Sequence, residues 1–147
     1  MLVIKGGCHC GTIRYDLTWP LPGPGIPARA CSCEFCTKHR GTYTSHPEAK
    51  LEAVIADESM LSAYSFATGT AEFSVCRRCG VVPFVTSRID GRLYAVVNVN
   101  TFENGGPLAL TETVSDFDGE SVEERLARRA RTWIPRVSIE YRESRAE

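Results

Sequence analysis

Thiols dominate the potential chemistry of this 147-residue chain: Cys8 and Cys10, then Cys31, Cys33 and Cys36, then Cys76 and Cys79. Thiolates one or two residues apart can converge on one soft metal ion without large backbone distortion. The two outer pairs supply four sulfurs, the ligand count of a closed tetrahedral zinc site. The middle cluster supplies three and leaves one coordination position unassigned. The spacing therefore predicts a scaffold site and a potentially reactive site in one small chain.

The outer pairs read as structural. Cys-x-x-Cys in VCRRCG (75–80) is a zinc-knuckle arrangement, in which the turn aims both sulfurs at one point and Gly80 supplies unusual backbone angles behind it. Cys8-His9-Cys10 is tighter and lies between glycines in GGCHCG (6–11). The 65 residues between Cys10 and Cys76 close a long loop, so a shared ion ties the start of the chain to its middle and contributes folding free energy. On an extended segment the His9 side chain points away from its two neighbours, which makes it a spacer rather than a ligand.

CSCEFC (31–36) differs. Three thiolates leave a zinc site with a net charge near -1, and an open position accepts water or an incoming thiol. Zinc lowers the pKa of a bound thiol and so generates a nucleophile at neutral pH, which suits the addition of a thiol to an aldehyde. A fourth protein ligand would close the site and make it inert. His39, three residues after Cys36, is the nearer candidate and His46 the weaker one. Spacing alone leaves the open and closed forms both standing.

Short alternating segments must position these thiols. TIRYDL (12–17) puts Ile13, Tyr15 and Leu17 on one face, the period of a half-buried strand. Strand-like runs recur at 61–67, 71–75, 81–87, 92–99 and 136–142. Four prolines and two glycines make WPLPGPGIP (19–27) a loop leading into the middle cluster. SVEERLARRARTW (121–133) predicts a helix, with Ser121 and Glu124 as a capping box and Val122, Leu126, Ala130 and Trp133 on its apolar face. A second, short helix is expected from near Cys33 through Lys38, and the tail 143–147 reads as a frayed end. The expectation is a mainly β single domain spanning 1–147, with one late helix, pinned by metal.

Composition narrows the function classes. With 17 basic and 18 acidic residues the formal net charge is -1, which gives nucleic-acid binding no electrostatic support. No apolar run approaches the roughly 20 residues that span a bilayer, and MLVIKGG is too short of apolar residues for a signal peptide. A cytoplasmic, reducing setting is expected, where clustered cysteines remain thiols or metal thiolates. The odd cysteine count argues against a disulfide framework.

GGCHCG (6–11), CSCEFC (31–36) and CRRCG (76–80), in that order, resemble the glutathione-dependent formaldehyde-activating enzyme family (GFA, or CENP-V/GFA domain). The similarity covers nearly the whole chain, including NVNTFE (98–103). The resemblance implies the Mss4-like folded β-sheet, or β-tent. It implies a structural zinc on Cys8, Cys10, Cys76 and Cys79, and a second, catalytic zinc on Cys31, Cys33 and Cys36, which favours the open site. It also implies a carbon–sulfur lyase that forms S-hydroxymethylglutathione from formaldehyde and glutathione. Tyr43, Tyr64 or Asn98 could stabilise the alkoxide, and Lys38, Arg40, Arg77 and Arg78 could pair with substrate carboxylates. TKHRGTY (37–43) departs from the Ser-Gly turn of many members, so the zinc sites carry over and the identity of the small thiol does not. A non-catalytic, zinc-stabilised binding module is the alternative. A thioredoxin-like redox role ranks last, because the surroundings of Cys76 and Cys79 read as β-rich.

Overall fold

The computed structural model describes residues 1–20, 25–103 and 110–143. The tip of the expected 19–27 loop (21–24) and the tail beyond 143 lie outside the described residues. The mainly β expectation holds: among the described residues the chain forms two sheets, one main helix and one short helix.

The smaller sheet has strand order β1-β2-β5-β11, from β1 (Leu2–Gly7), β2 (Ile13–Trp19), β5 (Lys50–Ile55) and β11 (Arg136–Tyr141). β1 and β2 form an antiparallel hairpin, β2 pairs antiparallel with β5, and β11 adds parallel to β5. The larger sheet has order β10-β3-β4-β9-β8-β7-β6. Its strands are β3 (Ile26–Cys31), β4 (Thr42–Thr44), β6 (Leu61–Tyr64), β7 (Glu72–Cys76), β8 (Phe84–Ile89), β9 (Arg92–Asn98) and β10 (Leu110–Ser115).

The main core lies between the sheets. Period-two alternation sends Ile13, Tyr15 and Leu17 of β2 and Leu51, Ala53 and Ile55 of β5 inward, against Phe84, Ala95 and Val97 of the larger sheet. The intervening residues Val85 and Val96 face the other way and pack with Phe73, Tyr43, Cys36 and Trp133 in a second apolar cluster. Both faces of the larger sheet are therefore covered around β8 and β9. That is why β9 carries the unbroken apolar run Leu93–Val97 instead of a clean alternation.

The sequence-expected strands at 12–17, 61–67, 71–75, 92–99 and 136–142 match β2, β6, β7, β9 and β11 within a few residues. The 81–87 run starts later, at Phe84, because Val81 still belongs to the turn and accepts from the Cys76 amide. The loop is shorter than its prolines suggest: Trp19 ends β2 and Ile26 begins β3. Pro27 is tolerated inside β3 because β4 pairs only at Arg29 and Ala30, which frees Pro27 from donating on that side.

The short helix α1 (Glu34–His39) follows β3 directly, and the main helix α2 (Val122–Thr132) carries the expected capping box. Glu124 N–H donates to Ser121 Oγ at 3.1 Å and Ser121 N–H to Glu124 Oε1 at 3.3 Å. Its packed face differs from the apolar stripe. Val122 is 45% exposed and Ala130 is also exposed, whereas Arg129 and Trp133 are buried. Hydroxyls of Thr70 and Ser87 under the helix accept from the Arg129 guanidinium and hold that face inward. No helix among the described residues is long and apolar enough to cross a membrane.

Candidate metal centres and an adjoining cavity

The outer cysteine pairs sit in two hairpin turns, one from each sheet. Cys8 and Cys10 lie in the β1–β2 turn, where Cys8 N–H donates to the Ile13 carbonyl at 2.9 Å. Cys76 ends β7 and Cys79 lies in the turn toward β8. Gly80 has φ +81° and its N–H donates to the Cys76 carbonyl at 2.8 Å, so a residue free to enter the left-handed region closes this knuckle.

All four sulfurs lie within 4.8 Å of one another. Cys8 Sγ is 3.7 Å from Cys10 Sγ, which is 3.5 Å from Cys76 Sγ. A zinc–sulfur bond of about 2.3 Å gives a tetrahedral sulfur–sulfur edge of about 3.8 Å, so the donor set fits a zinc ion. The contacts are far too long for disulfides, and all seven cysteines are free. The Thr12 hydroxyl, 3.2 Å from Cys10 Sγ, pulls the Cys10 thiol down to about 6, while burial pushes Cys8 up to about 12. His9 is exposed and is not part of the cluster.

Cys31, Cys33 and Cys36 converge within the same 4.8 Å limit, but from a single strand–helix junction. Cys31 ends β3, Cys33 is the N-cap of α1, and Cys36 lies in the first turn of that helix. The Cys33 sulfur accepts from the Cys36 amide at 3.4 Å, taking the place of a capping hydroxyl. Hydrogen bonding with Cys36 pulls the Cys31 thiol down to about 5, and the same contact together with burial raises Cys36. Soft donors, one of them readily ionised, suit zinc here as well.

Among the described residues no fourth Cys, His, Asp or Glu joins this cluster. His39 is occupied elsewhere. Its Nδ1 donates to the Phe35 carbonyl at 2.7 Å, and its Nε2 shares a 2.8 Å hydrogen bond with the Tyr43 hydroxyl. His46 Nδ1 accepts from the Glu48 amide at 3.0 Å and is likewise outside the cluster.

Tyr43 is the sequence-named donor that reaches the thiols. Its hydroxyl is 3.6 Å from Cys36 Sγ, and burial holds the phenol well above its usual pKa. Gly41 makes room for this arrangement: a Cβ there would collide with the Tyr43 hydroxyl and sit 2.6 Å from His39 Nε2. Tyr64 is 46% exposed and stacks on Phe35, and the Asn98 amide is spent on the Val82 carbonyl and the Asn100 amide.

A cavity of about 520 Å³ opens onto the three thiols. Phe66, Phe73 and Val96 line its apolar part, and Arg29, Arg128 and Arg129 a polar part. None of Lys38, Arg40, Arg77 and Arg78 lines it. Lys38 pairs with Glu34 at 3.1 Å, and Arg77 donates to the Ser59 carbonyl. The sequence signal for the residues that do line it was the i, i+4, i+8 series Arg125, Arg129, Trp133, which the apolar stripe of the helix masked.

Two comparisons bear on this arrangement. The sequence profile of the family described as "Glutathione-dependent formaldehyde-activating enzyme" matches residues 3–118. A crystal structure of a Rhodobacter sphaeroides protein, solved as a structural-genomics target, is similar at 27% sequence identity with a TM-score of 0.52. That similarity covers 73% of this chain and 99% of the other.

Proposed function

The chain belongs to the glutathione-dependent formaldehyde-activating enzyme family, and from that premise we propose that it is a carbon–sulfur lyase acting on the adduct of a small thiol and an aldehyde. Glutathione and formaldehyde, joined as S-hydroxymethylglutathione, are the first pair to test. The observation that carries this reading is the three-sulfur cluster: it opens onto a cavity of about 520 Å³, and the nearest histidine is hydrogen-bonded away from it.

Cys31, Cys33 and Cys36 would hold a catalytic zinc, and Cys8, Cys10, Cys76 and Cys79 a structural one, giving two per chain. When bound, the catalytic ion would supply Lewis acidity that lowers the pKa of a substrate thiol.

The protein's own groups do the rest. Phe66, Phe73 and Val96 surround the thiol end of the cavity and exclude water from it. Tyr43, oriented by His39, offers its hydroxyl beside the cluster as the partner for negative charge that develops on the aldehyde oxygen. In the forward direction the thiol loses its proton, the sulfur–carbon bond forms, and the aldehyde oxygen gains a proton. The reverse direction breaks the same bond and releases both components. Burial keeps Tyr43 protonated, so its hydroxyl is suited to donating a hydrogen bond to the aldehyde oxygen.

The test is exchange spectroscopy by nuclear magnetic resonance on an equilibrium mixture of glutathione and formaldehyde. Zinc-loaded protein is expected to accelerate exchange between free and adduct signals, and Cys33→Ser protein to leave the uncatalysed rate. Equal rates with both proteins at full zinc loading of the wild type would rule out the lyase and favour a non-catalytic zinc module.

A further inference from the structure

Four arginines line the cavity that opens onto the three thiols. Arg29 stands on β3 two residues before Cys31, and α2 directs Arg125, Arg128 and Arg129 to the same space. Glu120 takes two of the four. Its carboxylate accepts from Arg125 Nε at 3.3 Å and, through both oxygens, from Arg128 Nε at 2.9 Å and Nη2 at 3.1 Å.

Among the described residues Arg29 and Arg129 hydrogen-bond to hydroxyls alone, and Arg129 also lies over the Trp133 ring. Arg29 Nη2 donates to Ser45 Oγ at 2.8 Å. Arg129 Nη1 donates to Thr70 Oγ1 at 2.9 Å and Ser87 Oγ at 3.2 Å, and its Nε, fully enclosed, has no partner. Arg129 is 7% exposed, and a guanidinium buried this far without a carboxylate is an expensive arrangement unless an anion arrives to share the site. The carboxylates on the cavity rim do not serve. Glu34, Asp116 and Asp118 are exposed, Glu34 pairs with Lys38, and Asp116 accepts from the Asp118 amide.

We infer that Arg29 and Arg129 form an oxyanion subsite, which takes a carboxylate or phosphate carried by the substrate at a distance from its reacting sulfur. Identifying that ligand as the thiol substrate rests on the lyase reading above; the subsite itself rests on the cavity and its two hydroxyl-bonded guanidiniums. Carboxylate and phosphate share the geometry that an arginine fork recognises, two oxygens in one plane. Arg29 lies within the segment that the family profile matches, and the helix that supplies Arg129 lies beyond its last matched residue, 118. A substrate lacking an anionic group, such as a simple alkyl thiol, would fill the apolar part of the cavity and leave both arginines unpaired.

Zinc-loaded protein is titrated separately with inorganic phosphate and with succinate, by calorimetry and by Trp133 emission, since Trp133 lies 5.0 Å from the Arg129 guanidinium carbon. Saturable binding of either probe is expected, the tighter one naming the oxyanion, with Arg29→Gln and Arg129→Gln each weakening it about tenfold. Cys33→Ser, which lacks the second metal, is expected to retain it, separating the arginine subsite from direct binding to zinc. Absence of saturable binding to the wild type overturns the inference. So does equal affinity in wild type and Arg29→Gln, which leaves the guanidiniums as counter-charges for the thiolates or as clamps for α2. If Arg129→Gln fails to fold, Arg29→Gln decides alone. Arginine-dependent binding without any acceleration of thiol–aldehyde exchange would support the subsite and overturn only the lyase reading.

Discussion

The two cysteine clusters use the same atoms for opposite architectural ends. In the first, sulfurs that nearly touch belong to residues 66 apart, on hairpin turns of different sheets. In the second, all three sulfurs come from one six-residue stretch across the β3–α1 junction. A metal in the first closes a long loop and holds the sheets together at one end; a metal in the second closes almost nothing. The first has its full complement of four donors, and the second has three facing a cavity. Long-range ligation is therefore suited to stability and local, incomplete ligation to chemistry.

The sharpest way to break that comparison is to remove one sulfur from each cluster. Cys79→Ser is expected to cost about 3 kcal/mol or more and to reduce solubility, read by urea unfolding of the reduced protein. Cys33→Ser is expected to keep the fold within about 1 kcal/mol, lose one zinc by elemental mass spectrometry, and abolish exchange of the thiol adduct. Equal unfolding in both variants would erase the division between scaffold and reactive site.

Two smaller effects sharpen the second cluster. Tyr43→Phe removes the hydroxyl beside Cys36 and is expected to lower the adduct-exchange rate about 100-fold with both zinc ions retained. A rate within twofold of wild type would take Tyr43 out of the chemistry. Gly41→Ala forces a methyl group into the Tyr43–His39 contact, and a loss of about tenfold in rate is expected, with a stability cost of about 1–3 kcal/mol from overpacking around the buried Tyr43. Retained activity would mean that the hydroxyl need not be held by His39.

Exposure on one face did not by itself make a strand legible: β1 and β5 alternate much as β2 does and were passed over, whereas β9, covered on both faces, was read. Ile13, Tyr15 and Leu17 announce β2 by alternation, and Ser121 with Glu124 announces the start of α2. β3 was hidden because it starts just behind a proline-rich stretch and itself contains Pro27. β4, three residues long and wholly buried, has too few positions to show a period. Both metal clusters could be grouped from spacing and family resemblance, since thiols close in sequence stay close in space. The engagement of His39 could not, because it depends on Tyr43 arriving from the adjacent strand. Nor could the inward face of α2: arginine reads as surface in a helical pattern, and the hydroxyls that Arg129 meets there come from Thr70 and Ser87, far away in sequence.

The placement of Cys8 and Cys10 at the tip of one hairpin, and of Cys76 and Cys79 at the tip of another, bears on how the chain reaches its native state. A strand that slips by one residue turns its side chains to the opposite face. In the native pairing Gly7 stands opposite Arg14, and Ser74 opposite Phe84; only then do four sulfurs meet. A metal bound by all four would therefore favour the native register of both hairpins at once, since a hairpin out of register would present at most a pair of sulfurs to it.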